Sequence, residues 1–287
     1  MTTTGRTGRA LSLLVTTVRL ALANHVLRSP VTGEAPCVVS VASYGRRKKT
    51  VHLMLESVAR GSLRPGRLVL VLDEADAKVP LPRPLRRLRA RGLEVRFAEA
   101  ALGPHKKWSW WSSPDSAGAP VLVTADDDVL YPGWWLATLR EATQGFTTED
   151  VACYRAKRVR LEDGRLTGYR TWPGCTTDTA SVLNFSTGNS GVAYPLSFQQ
   201  VLRDAGDGYR QTCPRADDVW LHACAVTHGY EVRQVLATTR AFHHIVASQR
   251  GSLAASNVDE GQNDVQIRAT YGAEALRALM VAQASAP

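Results

Sequence analysis

The chain has 287 residues, of which 44% are apolar and 21% are charged, and its net charge is +9. This length can bury the core of one large α/β domain with a small extension. The composition excludes a low-complexity or disordered chain. The positive charge favours an anionic partner such as an anionic lipid or a phosphorylated small molecule. No nucleic-acid-binding motif accompanies the charge, so we expect no nucleic-acid partner.

The N-terminal segment, residues 1–36, is predicted to be a basic amphipathic helix followed by a linker. Residues 9–28 have a helical pattern, but the apolar run is too short to span a bilayer and is interrupted by Arg19. Basic residues beside an apolar face suit a helix that lies in a membrane interface. A helix packed on the main domain or on a partner subunit fits the pattern equally well, and a signal peptide without a clear cleavage site is a further alternative.

The main domain, residues 37–250, opens with alternating strand and helix patterns. Strands are predicted at Cys37–Ala42, Arg67–Leu72 and Leu93–Phe97, separated by helical patterns over residues 50–60 and 82–91. This order predicts an α/β fold with a mostly parallel central sheet. Residues 251–287 are predicted to form a C-terminal helical tail.

Three aspartates follow a buried-type strand in the stretch Val121–Pro132, VLVTADDDVLYP. An unbroken apolar run of this kind is typical of a strand in a parallel sheet, and open α/β sheets bind ligands at the carboxyl ends of such strands. Adjacent carboxylates repel one another unless a cation neutralises them. Oxygen ligands favour Mg²⁺ or Mn²⁺, so the stretch is a candidate metal site, although a solvated acidic turn would have the same sequence.

Three other segments are candidates for a ligand site. Ser43–Lys49 places a loop with one glycine between a strand and a helix, which favours anion binding, but it contains no GxGxxG motif. Asn184–Pro195, with Gly188 and Gly191, is a loop whose backbone could closely approach a sugar. Asp217 and Asp218 open a predicted helix; capping accounts for one of them, and the other is free to point into a cleft.

These segments together resemble the GT-A glycosyltransferases, over roughly residues 37–246. Asp126-Asp127-Asp128 matches the DxD metal motif of that family, and Asp217-Asp218-Val219-Trp220-Leu221 is similar to the EDxxL motif of inverting family-two-like enzymes. Ser43-Tyr44 with Arg46 resembles the base-binding turn. The resemblance implies a single GT-A domain that transfers a sugar from a nucleotide-diphosphate sugar to a hydroxyl group of a glycan or glycoconjugate. UDP is the commonest nucleotide in that family.

The resemblance also implies roles for individual residues. Asp126 would hold the ribose of the nucleotide, with Asp127 beside it, and Asp128 would bind one Mn²⁺ or Mg²⁺ ion together with Asp126. His243 or His244 would supply a further metal ligand. Lys106 or Lys107 would neutralise phosphate, and Tyr44 and Asp73 would lie near the base. Asp218, with Asp217 as its neighbour, would be the general base of an inverting reaction; a retaining enzyme remains an alternative if Asp218 is not the base.

Two alternatives remain beside the transferase. A sugar-phosphate nucleotidyltransferase would need a glycine-rich loop after the first strand, where only Gly45 is found. A non-catalytic membrane-surface module would not need the two intact aspartate clusters. The five cysteines are odd in number and form no CxxC pair, which is typical of a reducing cytosol. We therefore expect a cytoplasmic protein, with an anionic surface at the inner face of the membrane as a candidate partner of residues 9–28.

Overall fold

The computed structural model describes residues 3–113, 116, 120–245 and 261–285, with only the backbone for residues 3–10. Residues 246–250 of the expected main domain and residues 251–260 of the expected tail lie outside the described residues. The helices are α1 (Thr3–Val26), α2 (Val51–Ala59), α3 (Arg83–Arg89), α4 (Lys106–Ser109), α5 (Trp135–Ala142), α6 (Phe198–Ala205), α7 (Tyr209–Thr212), α8 (Asp217–Thr227), α9 (Gln262–Thr270) and α10 (Ala273–Ala284).

The strands are β1 (Ala35–Ala42), β2 (Pro65–Asp73), β3 (Leu93–Ala98), β4 (Val121–Asp126), β5 (Val129–Leu130), β6 (Val151–Cys153), β7 (Ala156–Arg158), β8 (Leu161–Glu162), β9 (Arg165–Leu166), β10 (Asn184–Ser186), β11 (Val192–Tyr194), β12 (Val232–Gln234) and β13 (His243–His244). Seven of them form the central sheet in the order β12-β6-β11-β4-β1-β2-β3. β11 runs antiparallel to its neighbours β4 and β6, and the other pairs are parallel. The predicted mostly parallel α/β fold is confirmed.

Alternate residues of the buried strands supply two separate cores, one on each face of the sheet. Val39 and Val41 of β1 point into the core covered by α1, α2, α3 and α5, whereas Val38 points into the opposite core. The second core contains the tryptophans of the segment around α4 and the apolar faces of α6 and α8. A strand buried on both faces has to be apolar throughout, which explains the uninterrupted runs in β1, β2 and β4.

The two ends of the chain pack on this domain. α1 lies against α2 and α3, while α9 and α10 place Ile267, Tyr271 and Leu279 in the second core. The predicted C-terminal helix is two helices, interrupted at Tyr271-Gly272. Within the described part of the chain, no helix has the length and apolarity that crossing a bilayer requires. The five cysteines are all buried and unpaired.

Candidate functional site

The site lies where three parallel strands end at the same edge of the sheet. Ala42 of β1 is in register with both Val71 of β2 and Asp126 of β4. The residues that follow these strands therefore meet: Ser43 after β1, Asp73 at the end of β2, and the aspartates that follow β4. This edge is where open α/β sheets bind their ligands.

The three consecutive aspartates contact different sets of basic and polar side chains, and Asp127 and Asp128 share Arg47. Asp126 accepts a hydrogen bond from Lys107 Nζ at 3.0 Å. Asp127 is buried, accepting bonds from Ser43 Oγ at 2.6 Å and Arg47 Nη1 at 2.8 Å. Asp128 Oδ2 is 3.3 Å from Arg47 Nη2. Burial raises the pKa of Asp127 to about 6, although Arg47 and Ser43 oppose that shift. The hydrogen bond between Ser43 and Asp127 therefore holds the turn after β4 against the end of β1. Asp126 and Asp128, on either side of Asp127, are the two residues that correspond to the DxD resemblance.

Arg47, rather than the predicted Arg46, faces the aspartates. Residues Gly45–Lys49 form a 3-10 helix, in which positions i and i+3 eclipse one another. Arg47 consequently lies on the side of Tyr44, with its guanidinium carbon 5.6 Å from the centre of the tyrosine ring, while Arg46 is exposed. Sequence reasoning missed Arg47 because the run of four basic residues gives no indication of which one points inward.

Lys107 joins the two acidic motifs. Its Nζ is 3.0 Å from Asp126 Oδ1 and 3.0 Å from Asp217 Oδ2, and only 7% of its side chain is exposed. Burial acts to lower the pKa of Lys107, but the two carboxylates outweigh it and leave that pKa well above its usual value. Lys107 is therefore a charged ammonium group that neutralises Asp126 and Asp217 together, and contact of Lys106 or Lys107 with phosphate stays a prediction.

The neighbouring His105 explains how these two distant segments come together. Its buried ring donates from Nε2 to the carbonyl oxygen of Cys213, 2.8 Å away and shortly before α8. On its other side, Trp108 donates to His105 Nδ1 at 3.2 Å. Burial lowers the pKa of His105, so its ring is neutral. The pairing fixes the start of α8 against α4 and hence Asp217 against Lys107.

Asp218 lies beside Asp217 in the first turn of α8, where its Oδ1 accepts a hydrogen bond from the backbone N–H of Val219 at 3.0 Å. Burial, followed by the charge of Asp217, raises the pKa of Asp218 to about 7, and Lys107 opposes this rise. A carboxylate with such a pKa can take up a proton near neutral pH. Asp217 is thus held by an ion pair with Lys107, whereas the pKa of Asp218 is raised toward neutral pH.

A cleft of about 620 Å³ opens at this edge of the sheet. It is lined by residues that include Tyr44, Arg47, Asp73, Lys106, Lys107, Asp126, Asp127 and Arg215. Lys106 is buried and forms an ion pair with Asp73. The volume lies within the range of about 300–1,000 Å³ that small-molecule sites occupy. The structure thus brings together at one cleft most of the residues predicted for the donor site.

The two histidines point in different directions from the short strand β13, which pairs with β5. His244 Nδ1 is buried 3.6 Å from Asp128 Oδ2, and the interaction with that carboxylate raises the pKa of His244. His243 is exposed and lines a different groove, beside α1. Of the two predicted ligands, only His244 therefore faces the aspartates.

The residues present fit a divalent ion held mainly by its substrate. No group of three or more His, Cys, Asp and Glu side chains converges as a metal site in the part of the chain that the structure describes. Mg²⁺ and similar ions, however, commonly take one or two protein ligands and fill the remaining positions with phosphate and water. Asp128 and a neutral His244, whose Nδ1 lies 3.6 Å from Asp128 Oδ2, would supply two such ligands.

The glycine segment is a strand connection rather than the loop expected from sequence. Gly191 has φ of +103°, and a Cβ added there would lie 2.5 Å from Trp135. Its need for glycine thus comes from the close approach of Trp135, whose Nε1 donates to the carbonyl oxygen of Ser190 at 2.8 Å. At Gly188 an added Cβ would lie 3.5 Å from Lys107 Nζ, so this glycine is next to the site.

Comparison with known proteins identifies the fold. No protein-family model and no curated protein matches the sequence. TarS from S. aureus, solved as residues 1–349, aligns with a TM-score of 0.50 and 15% identity over 85% of this chain and 70% of that one. The mannosyltransferase PcManGT from Pyrobaculum calidifontis, solved with GDP-Man and Mn²⁺, aligns with a TM-score of 0.52 and 15% identity over 95% of this chain and 86% of that one. The chain has the GT-A fold that its sequence predicted.

Proposed function

We propose that the chain is a metal-dependent glycosyltransferase, which moves a sugar from a nucleotide-diphosphate sugar to a hydroxyl group of a glycan or glycoconjugate. The observation that carries the proposal is the bridge through Lys107, which holds Asp126 and Asp217 to one ammonium group at the edge of a GT-A sheet. This bridge supports the proposal because it holds the motif expected to bind the donor next to the motif expected to activate the acceptor.

The donor nucleotide is proposed to occupy the cleft between Tyr44 and Asp126. The ring of Tyr44 offers a face on which a base can stack, and Asp73 lies at the same wall. Asp126 has one oxygen on Lys107 and can accept a ribose hydroxyl with the other. UDP is our first choice of nucleotide, and GDP is the second because the structurally similar mannosyltransferase was solved with GDP-Man.

We propose that Asp128 and His244 would hold the divalent ion when the diphosphate of the donor is bound. When bound, it would neutralise the negative charge that develops on the leaving diphosphate. The side-chain amide of Asn189 lies 3.4 Å from His244 Nε2. If its oxygen accepts the proton of that nitrogen, His244 Nδ1 is left free to bind a metal.

Asp218 is proposed as the general base of an inverting transfer. Its carboxylate takes the proton of the acceptor hydroxyl while that oxygen bonds to the anomeric carbon of the donor sugar. The bond between the anomeric carbon and the diphosphate oxygen breaks at the same time, and the nucleoside diphosphate leaves with both electrons. A base with a pKa of about 7 is matched to this task, which typically contributes ~10²–10⁴-fold in rate.

A panel of nucleotide sugars tests the proposal, with release of nucleoside diphosphate as the readout in Mn²⁺ and in EDTA. We expect release from one donor, dependent on metal and increased by an acceptor glycan. Asp218→Asn should bind that donor with unchanged affinity and lose transfer by ~10²–10⁴-fold. Glu231→Gln, which changes an exposed carboxylate outside the cleft, is the matched control and should behave as the parent chain. Release from no donor in the panel would contradict the function, and transfer that survives in Asp218→Asn would contradict the assignment of the base.

A further inference from the structure

Helix α1 is fixed to the domain through one of its faces only. Leu20, Ala23 and Asn24 are buried on that face. Asn24 donates to Glu56 Oε1 at 3.1 Å and accepts from Arg87 Nε at 3.0 Å, and this ties α1 to both α2 and α3. The helix is therefore an integral part of the fold, and its outer face has a defined orientation.

The outer face of α1 is an apolar stripe that nothing in the chain covers among the described residues. It consists of Leu11, Leu14, Val15, Val18, Leu22 and Val26, which are 41–62% exposed. Their spacing of three and four residues places them along one side of the helix. Of the thirteen exposed large hydrophobic residues in the described part of the chain, these six lie on α1. An apolar surface concentrated in this way marks an interaction site.

The positive charge near the stripe favours an anionic lipid surface over a second copy of the chain as the partner. Residues 11–33 contain no acidic residue, whereas Arg19 on α1 and Arg28 shortly after it are exposed. The neighbouring helix α3 adds Arg83, Arg86 and Arg89, whose side chains are exposed. A second copy docked on this face would bring like charges together, which is destabilising. An anionic lipid surface would instead attract the same arginines at ~1 kcal/mol, or about fivefold in affinity, for each one near the surface.

We propose that α1 is the membrane-docking surface of this protein. The helix lies flat in the interface of an anionic bilayer, with the apolar stripe among the lipid acyl chains and the arginines at the head groups. With 24 residues, it presents a stripe that runs most of its length of ~36 Å. The docking rests on the outer face of α1 and is independent of the transferase activity, because none of the residues in the stripe lines the cleft.

Co-sedimentation of the full chain with vesicles tests the docking. Vesicles of phosphatidylcholine alone are compared with vesicles that contain 30% phosphatidylglycerol, and we expect at least tenfold tighter binding to the anionic ones. The triple variant Leu14→Ser/Val18→Ser/Leu22→Ser should lose that binding and keep its melting temperature and donor hydrolysis. The matched control Leu196→Ser/Val265→Ser/Val281→Ser removes three exposed apolar side chains outside α1 and should bind as the parent chain does.

A charge variant supplies the second arm. Arg19→Gln/Arg83→Gln/Arg86→Gln should weaken binding to anionic vesicles by more than tenfold. The control Arg165→Gln/Arg268→Gln, in exposed positions away from α1, should change it less than twofold. Equal binding to both kinds of vesicle, no binding to either, or full binding by the stripe variant would overturn the proposal. A dimer in solution that the stripe variant dissociates would also overturn it and would assign the face to a second copy.

Discussion

Replacing Lys107 by methionine should lower the free energy of unfolding far more than the same change at the exposed Lys49. Methionine keeps most of the length of the side chain but removes the charge between Asp126 and Asp217. Each of the two 3.0 Å contacts corresponds to ~5 kcal/mol of attraction at an effective dielectric constant of ~20. Desolvation of the buried ammonium group cancels much of this, and loss of one partner from a buried ion pair typically costs ~3–5 kcal/mol. We expect a loss of about that size in the free energy of unfolding.

Urea unfolding followed by circular dichroism measures this loss at pH 7.5. In the Lys107→Met chain, the carboxylates of Asp126 and Asp217 repel one another because no ammonium group lies between them. The double variant Lys107→Met/Asp217→Asn removes that repulsion, so it should be more stable than the sum of the single changes predicts, by ~1–3 kcal/mol. Lys49→Met, at an exposed position, should stay within ~0.5 kcal/mol of the parent chain. Additive effects in the cycle, or a Lys107→Met chain as stable as the Lys49→Met chain, would refute the bridge.

The remaining predictions concern the base, the arginine turn and the glycine at Trp135. The rate of transfer should rise with pH through an apparent pKa near 7, because Asp218 acts only when deprotonated and its pKa is raised to about 7; a rate independent of pH between 5.5 and 8.5 would contradict this. Arg47→Gln should lower the free energy of unfolding by ~1.5–3 kcal/mol because it removes charged hydrogen bonds to the buried Asp127, whereas Arg46→Gln should change it by less than ~0.5 kcal/mol. Denaturant titrations measure both free energies of unfolding, and an Arg47→Gln chain as stable as the Arg46→Gln chain would contradict the prediction. Gly191→Ala should cost ~1–3 kcal/mol more than Gly145→Ala, since both glycines have positive φ but only the first would force a Cβ against an indole ring; equal melting temperatures for the two would show that Trp135 moves freely.

The first half of the fold could be predicted because its signals are local. Strands such as β1 and β2 are buried on both faces and contain unbroken apolar runs, and the helices between them have clear periodicity. The second half depends on contacts between distant residues. β11 has only three residues and enters the sheet because Val192 pairs with Thr124, a partner 68 positions earlier. No local pattern in Asn184–Pro195 indicates such a pairing, so the segment was expected to be a loop.

The same contrast applies to the site. The positions of Asp126 and Asp128 follow from the strand that precedes them, so they could be placed from sequence. The role of Lys107 could not, because it depends on His105 reaching the carbonyl oxygen of Cys213 across the fold. The choice of Arg47 over Arg46 depends on a 3-10 turn that the basic run does not reveal. The domain boundaries at residues 36 and 250 stay a prediction, as do the roles of the individual site residues.

Thermal unfolding in the presence of Mn²⁺ and a nucleoside diphosphate tests the central claim most directly, namely that one cleft binds a metal and a pyrophosphate through Asp128. We predict that UDP or GDP raises the melting temperature only when Mn²⁺ is also present, and that Asp128→Ala and His244→Ala abolish the shift while His243→Ala retains it. A rise in melting temperature that needs no Mn²⁺ and persists in the Asp128→Ala chain would contradict this claim. The absence of any rise with either nucleotide would contradict it as well.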